Sequence, residues 1–79
     1  MNTEIHIGKL IWDKLKEDGY SVSWLARKMS CDRTNIYRIF DKPHIDTGQL
    51  IRISRILRFN FFIHFSNFID DVAHLDTKM

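Results

Sequence analysis

Two helical stripes set only three residues apart constrain this chain more than any other feature. In residues 22–29, Val22, Leu25, Ala26 and Met29 fall on one face of a helix. In residues 33–40, Ile36, Ile39 and Phe40 form a second inward stripe. Ser30, Cys31 and Asp32 make the break between them. Helix, short break, helix is the outline of a helix-turn-helix. The small Ala26 stands where the two helices come closest. Ile36 lies ten residues on and Ile39 three more, both facing that crossing, while Leu25 and Met29 fill the other side.

The rest of the 79 residues fits around this pair. Ile7, Leu10, Ile11 and Leu15 predict a helix over 7–18, with Gly19 placed to end it in a left-handed conformation. Ser21 is a suitable N-cap for the second helix and Asp32 for the third. Residues 41–48 read as a loop built on Pro43, with Asp46 or Thr47 capping a fourth helix. Leu50, Ile53, Ile56 and Leu57 point inward from it. Asn60 is expected to cap a fifth helix over about 60–75, and residues 76–79 read as a frayed tail. No strand pattern competes. The expectation is one all-α domain over 1–79, with five short helices and the motif at about 21–40.

Composition excludes several classes and announces none. A hydrophobic share of 44% with 28% charged residues reads as an ordinary globular domain. The single Cys31 forms no disulfide within the chain, which suits a reducing cytoplasm. No secretory leader is expected from residues 1–6, and "FNFFIHFSNFI" is too short and too polar to cross a bilayer. The net charge is only +2. Its distribution says more: residues 21–42 carry Arg27, Lys28, Arg33, Arg38 and Lys42 against Asp32 and Asp41. A basic patch is the footprint of phosphate binding, and also a common solvated surface.

The chain resembles the phage-repressor-like (Xre/Cro) helix-turn-helix family over about residues 7–65. The resemblance rests on "IGKLI" opening the first helix, "YSVSWLARKMSCDRTNIYRIF" as the motif, "QLIRISRIL" as the fourth helix and the aromatic run as the fifth. It implies a lambda-repressor-like fold and a transcriptional regulator that binds operator DNA, usually as a dimer. Three positions depart from the family. Val22 stands where an amide often touches phosphate, and Ser30 where the turn usually has glycine. Leu15 and Phe40 stand where many members pair a buried arginine with a glutamate. An apolar pair can replace a buried ion pair without loss of stability.

On a helix turning 100° per residue, Thr34 and Arg38 lie opposite Ile36, with Asn35 and Tyr37 on the flanks. Arg33 is in the first turn, and in this motif the N-terminal part of the second helix enters the major groove. Arginine pairs bidentately with guanine, and threonine offers a hydroxyl and a methyl. The resemblance assigns base reading to Arg33, Thr34 and Arg38, with Asn35 and Tyr37 as secondary contacts. Phosphate contacts are expected near Ser21 and Ser23, at the N-terminus of the second helix. Lys42 and His44 are further candidates for phosphate or simply solvated. Arg52, Arg55 and Arg58 read as a solvated face.

Other residues invite competing readings. Trp24 lies opposite the core face of its helix, so either it marks an interface or one of the chain ends covers it. Phe65, Phe68, Ile69 and Val72 either pack into the core or cross a two-fold axis to build a homodimer. A dimer would set two recognition helices one DNA turn apart, about 34 Å. The four histidines show no metal-ligand spacing, and Cys31 reads as a core thiol. There is no Gly-rich phosphate loop, strained serine elbow or facing carboxylate pair, so no enzyme, cofactor or small-molecule ligand is expected. Sequence-specific binding of double-stranded DNA is the leading reading. The alternative is a protein-interaction module on the same fold, such as an antitoxin or a phage adaptor.

Overall fold

The computed structural model describes the backbone of residues 5–76 and the side chains of residues 5–70. Val72 and residues 77–79 therefore lie outside what is described below. Five helices follow one another: α1 (Ile7–Glu17), α2 (Val22–Lys28), α3 (Arg33–Phe40), α4 (Thr47–Leu57) and α5 (Phe62–Asp76). No strand occurs among the described residues. The chain is an all-α domain with helix-turn-helix geometry. No helix is long and apolar enough to cross a membrane.

Each helix begins and ends for a local reason. The first N–H groups of a helix have no partner inside it. At α1, Ile7 and Gly8 donate theirs to the carbonyls of Pro43 and Lys42, at 3.0 and 2.9 Å. Lys9 donates to His6 Nδ1 at 3.1 Å, so His6 is the N-cap. Gly19 ends α1 at φ 78°, where glycine carries no Cβ penalty. Ser21 caps α2 by accepting from the Trp24 N–H at 3.0 Å. Asp46, not Thr47, caps α4 and accepts from Gln49 at 2.7 Å. Asn60 Oδ1 accepts from Phe62 at 3.0 Å just before α5. Asp32 differs from the expectation. It holds the extended N-cap backbone of α3, but its side chain makes no capping bond.

The turn between α2 and α3 keeps its shape with serine where glycine is usual. Ser30 takes the left-handed conformation at φ 55°. Its N–H donates to Arg27, and the next N–H, of Cys31, donates to the Ala26 carbonyl at 2.9 Å. Carbonyls at the end of α2 are thus satisfied within the turn.

The core draws on α1 to α4 and on Phe61, which stands just before α5. Ile7, Ile11 and Leu15 meet Leu25, Ala26, Met29, Ile36 and Ile39, with Leu50, Ile53 and Leu57 beneath and Phe61 fully buried. No polar or charged residue is buried among the described residues. Each such large aliphatic side chain contributes about 1.5–3 kcal/mol by leaving water. Phe40 is half-buried, with its ring edge-on to Trp12 at 4.8 Å. α1 and α3 therefore meet through an aromatic pair in addition to the aliphatic core.

Trp24 is half-buried. Tyr20, from the α1–α2 turn, stacks on it at 3.8 Å between ring centroids and 7° between planes. On α5, Phe62 and Phe65 pack against the core, Phe68 is half-buried, and Ile63 and Ile69 are exposed.

Candidate nucleic-acid interface

α3 has eight residues and buries only two of them, Ile36 and Ile39. Phe40 is half-buried, and Arg33, Thr34, Asn35, Tyr37 and Arg38 are exposed. The two buried residues are three apart, so they define one narrow line of contact. The five exposed side chains are available to a partner. The side chains on offer are two guanidiniums, a hydroxyl, an amide and a phenol. Together they can donate to base edges, accept from them, and contact phosphate.

The packing beneath holds this helix in place. Ile36 is 0% exposed and Ile39 4%, so α3 cannot rotate without emptying the core. Its C-terminus is fixed by α1, whose first two N–H groups bond to Lys42 and Pro43. Tyr37 leans its ring edge-on to Phe40 at 6.0 Å between centroids. A recognition element needs this kind of rigid support, because base readout depends on side chains held at a fixed register.

The candidates do not all gather in one place. Asn35, Arg38 and Lys42 line one depression of about 300 Å³ between α3 and α4. His44 lies elsewhere. It borders an apolar hollow of about 290 Å³ with Ile7, Ile45, Phe62 and Phe65. Lys42 and His44, grouped by sequence position, thus belong to different surfaces. Ser21 is exposed, and its hydroxyl oxygen is already engaged as the α2 cap; Ser23 is half-buried.

Arg52 and Gln49 from α4 complete the depression that holds Arg38 and Lys42. The arginines of α4, read from sequence as a solvated face, are thus not all remote from α3. A signal is present in the spacing. Gln49 and Arg52 lie three apart on one flank of the buried stripe of Leu50, Ile53 and Leu57. Which neighbour that flank faces depends on the α3–α4 crossing, and spacing alone does not say.

Charge in this region is unbalanced. Among the described residues the ion pairs are those of Lys14, with Glu17 and Asp18, on the far end of α1. Arg33, Arg38, Lys42 and Arg52 have no carboxylate partner there. No group of three or more His, Cys, Asp and Glu side chains stands close enough to hold a metal among the described residues. Cys31 is a half-buried free thiol at the rim of the depression and packs against the core.

No protein-family model, curated protein or solved structure matches the chain.

Proposed function

We propose that this protein is a sequence-specific DNA-binding transcriptional regulator of the phage-repressor-like kind, working in the cytoplasm. One observation carries the reading: α3 is anchored by Ile36 and Ile39 and leaves Arg33, Thr34, Asn35, Tyr37 and Arg38 exposed. In this reading Arg33, Thr34 and Arg38 read base edges in the major groove of duplex DNA. Asn35 and Tyr37 add secondary contacts, and Lys42 and the N-terminus of α2 near Ser21 and Ser23 meet phosphate. A homodimer through Phe68, Ile69 and Val72 of α5 would present two such helices to a near-palindromic site. The exposed Ile69 supports that surface.

The test is selection from a random duplex library, with the wild type and with R33A/R38A. A near-palindromic sequence enriched by the wild type and lost in the variant is the expected result. R38A alone should cost roughly 1–3 kcal/mol and relax the preference at one base pair. The second reading is a protein-interaction module on the same fold, an antitoxin or phage adaptor. It draws on Ile63 and Ile69, 43% and 61% exposed on α5. Steep loss of binding with rising salt belongs to the first reading; absence of binding at low salt belongs to the second.

A further inference from the structure

Three surface depressions are joined by the cations they share. The first is the one between α3 and α4, lined by Arg38, Lys42 and Arg52. The second, about 380 Å³, is lined by Arg52 again with Lys28 and Arg55. The third, about 720 Å³, is lined by Lys28 and Arg55 again, with Arg58 beyond them. Arg52 links the first to the second, and Lys28 and Arg55 link the second to the third. The result is one basic track from the end of α3, past the end of α2, to the end of α4.

The acids along this track decide how to read it. Among the described residues, Asp18 is the one carboxylate lining any of the three depressions, and Lys14 already engages it at 3.4 Å. Lys28 has no carboxylate partner among the described residues and instead holds its ammonium 5.8 Å from the centre of the Trp24 ring. The six cations Arg38, Lys42, Arg52, Lys28, Arg55 and Arg58 repel one another, and none of them forms an ion pair with a described carboxylate. A partner with many regularly spaced negative charges would relieve that repulsion. Arg52 and Arg55 are three residues apart on one helix, a rise of about 4.5 Å. Phosphates along one DNA strand are spaced by about 3.4 Å of helix axis, within the reach of an arginine side chain.

We propose that this track holds the sugar–phosphate backbone of a DNA duplex beyond the segment whose bases α3 reads. The inference rests on the DNA-binding reading above and adds a second, sequence-independent surface to it. Arg52 and Arg55 are its central links, Lys28 and Arg58 its far end. Its role is affinity and footprint length, not base choice.

The test compares the wild type with R52A/R55A. Both arginines lie on a helix where alanine is well tolerated and neither belongs to the core, and matching thermal melts would verify the fold. Each protein is titrated with duplexes of about 15 and about 30 base pairs over a range of salt. The variant is expected to select the same sequence as the wild type and to lose more affinity on the long duplex than on the short one, where Arg52 alone borders the α3 depression. On the long duplex its slope of log affinity against log salt should be shallower by about 0.9 for each phosphate that the variant no longer neutralises. Wild-type affinity and slope in R52A/R55A on both lengths would overturn the track and leave base reading untouched. Salt-dependent binding without any enriched sequence, abolished in R52A/R55A, would uphold the track and overturn base reading. No duplex binding by the wild type at low salt would overturn both.

Discussion

The amide of Gly8 donates to the carbonyl of Lys42 at 2.9 Å, so the backbone of α1 rests directly on the chain leaving α3. A Cβ at Gly8 would overlap the carbonyl oxygens of Ile39 and Phe40. The contact is backbone on backbone, and neither side can yield as a flexible side chain would. It also aligns the positive end of the α1 dipole with carbonyls at the C-terminal end of α3.

Gly8→Ala is therefore expected to destabilise the fold. Helix propensity alone argues the other way, because alanine is favoured over glycine inside a helix by about 1 kcal/mol. The steric clash should win, since relieving it means pulling α1 off α3 and breaking the Ile7 and Gly8 hydrogen bonds. Overpacking of this kind costs roughly 1–3 kcal/mol net. Urea unfolding of the variant should show a lower midpoint. An equal or higher midpoint would mean that α1 sits further from α3 in solution.

Ser30 offers a substitution of opposite sign. It is a non-glycine residue at φ 55°, a conformation that costs an L-residue about 1–2 kcal/mol. Ser30→Gly removes that cost and adds some unfolded-state entropy to be given up on folding. A net gain of about 0.5–1 kcal/mol is expected, because the Ser30 and Cys31 N–H bonds to α2 do not involve the side chain. Calorimetry should show a raised melting temperature. A lowered one would reveal that the serine hydroxyl does something else for the turn.

How much of this is readable without the structure depends on range in the chain. Ser21, Gly19 and Asp46 act within three residues of themselves, and their roles follow from local chemistry. The buried stripes of α1 to α4 follow from helical period for the same reason. Gly8 is not readable as a contact, because its neighbours Ile39 and Phe40 are far along the chain and a glycine in a helix looks merely weak. Tyr20 over Trp24 escapes the sequence, because a turn residue folding back onto the next helix leaves no periodic trace. Arg52 reads as solvated because α4 has several polar edges, and only the crossing with α3 selects between them. The candidate site is thus legible where it lies on one helix, and illegible where two helices share it.

Lys14 supplies a pH-dependent test of the far end of α1. Its ammonium lies 3.4 Å from Asp18, 3.5 Å from Glu17 and 4.8 Å from the centre of the Phe59 ring. Desolvation pushes its pKa down, but the hydrogen bond and charge of Asp18, followed by Glu17, outweigh it and hold the pKa above the ordinary 10.5. A pKa raised on folding stabilises the protein fully below the unfolded value, and the gain fades as pH rises through the folded value. Lys14→Ala should therefore melt lower than the wild type at pH 7–9, and the gap should shrink above the lysine range near 10.4. A gap that stays constant to high pH would assign the effect to packing on Phe59 and not to charge.

Asp32 gives the final test, because its two candidate roles separate cleanly. It stands at the N-cap of α3 but makes no side-chain capping bond. Its contribution to stability is then limited to its charge near the helix N-terminus, about 0.3–1 kcal/mol. Yet it is exposed beside Arg33, at the end of α3 proposed to enter the major groove. A carboxylate there opposes the phosphates on either side. Asp32→Asn should cost less stability than Ser21→Ala, which removes a cap bond worth about 1 kcal/mol. The same variant should bind duplex DNA more tightly at low salt, with the advantage fading as salt screens it. If Asp32→Asn instead weakened binding and left stability unchanged, the carboxylate would be accepting a hydrogen bond from a base, such as the cytosine amino group. It would then join Arg33 among the residues proposed to read bases.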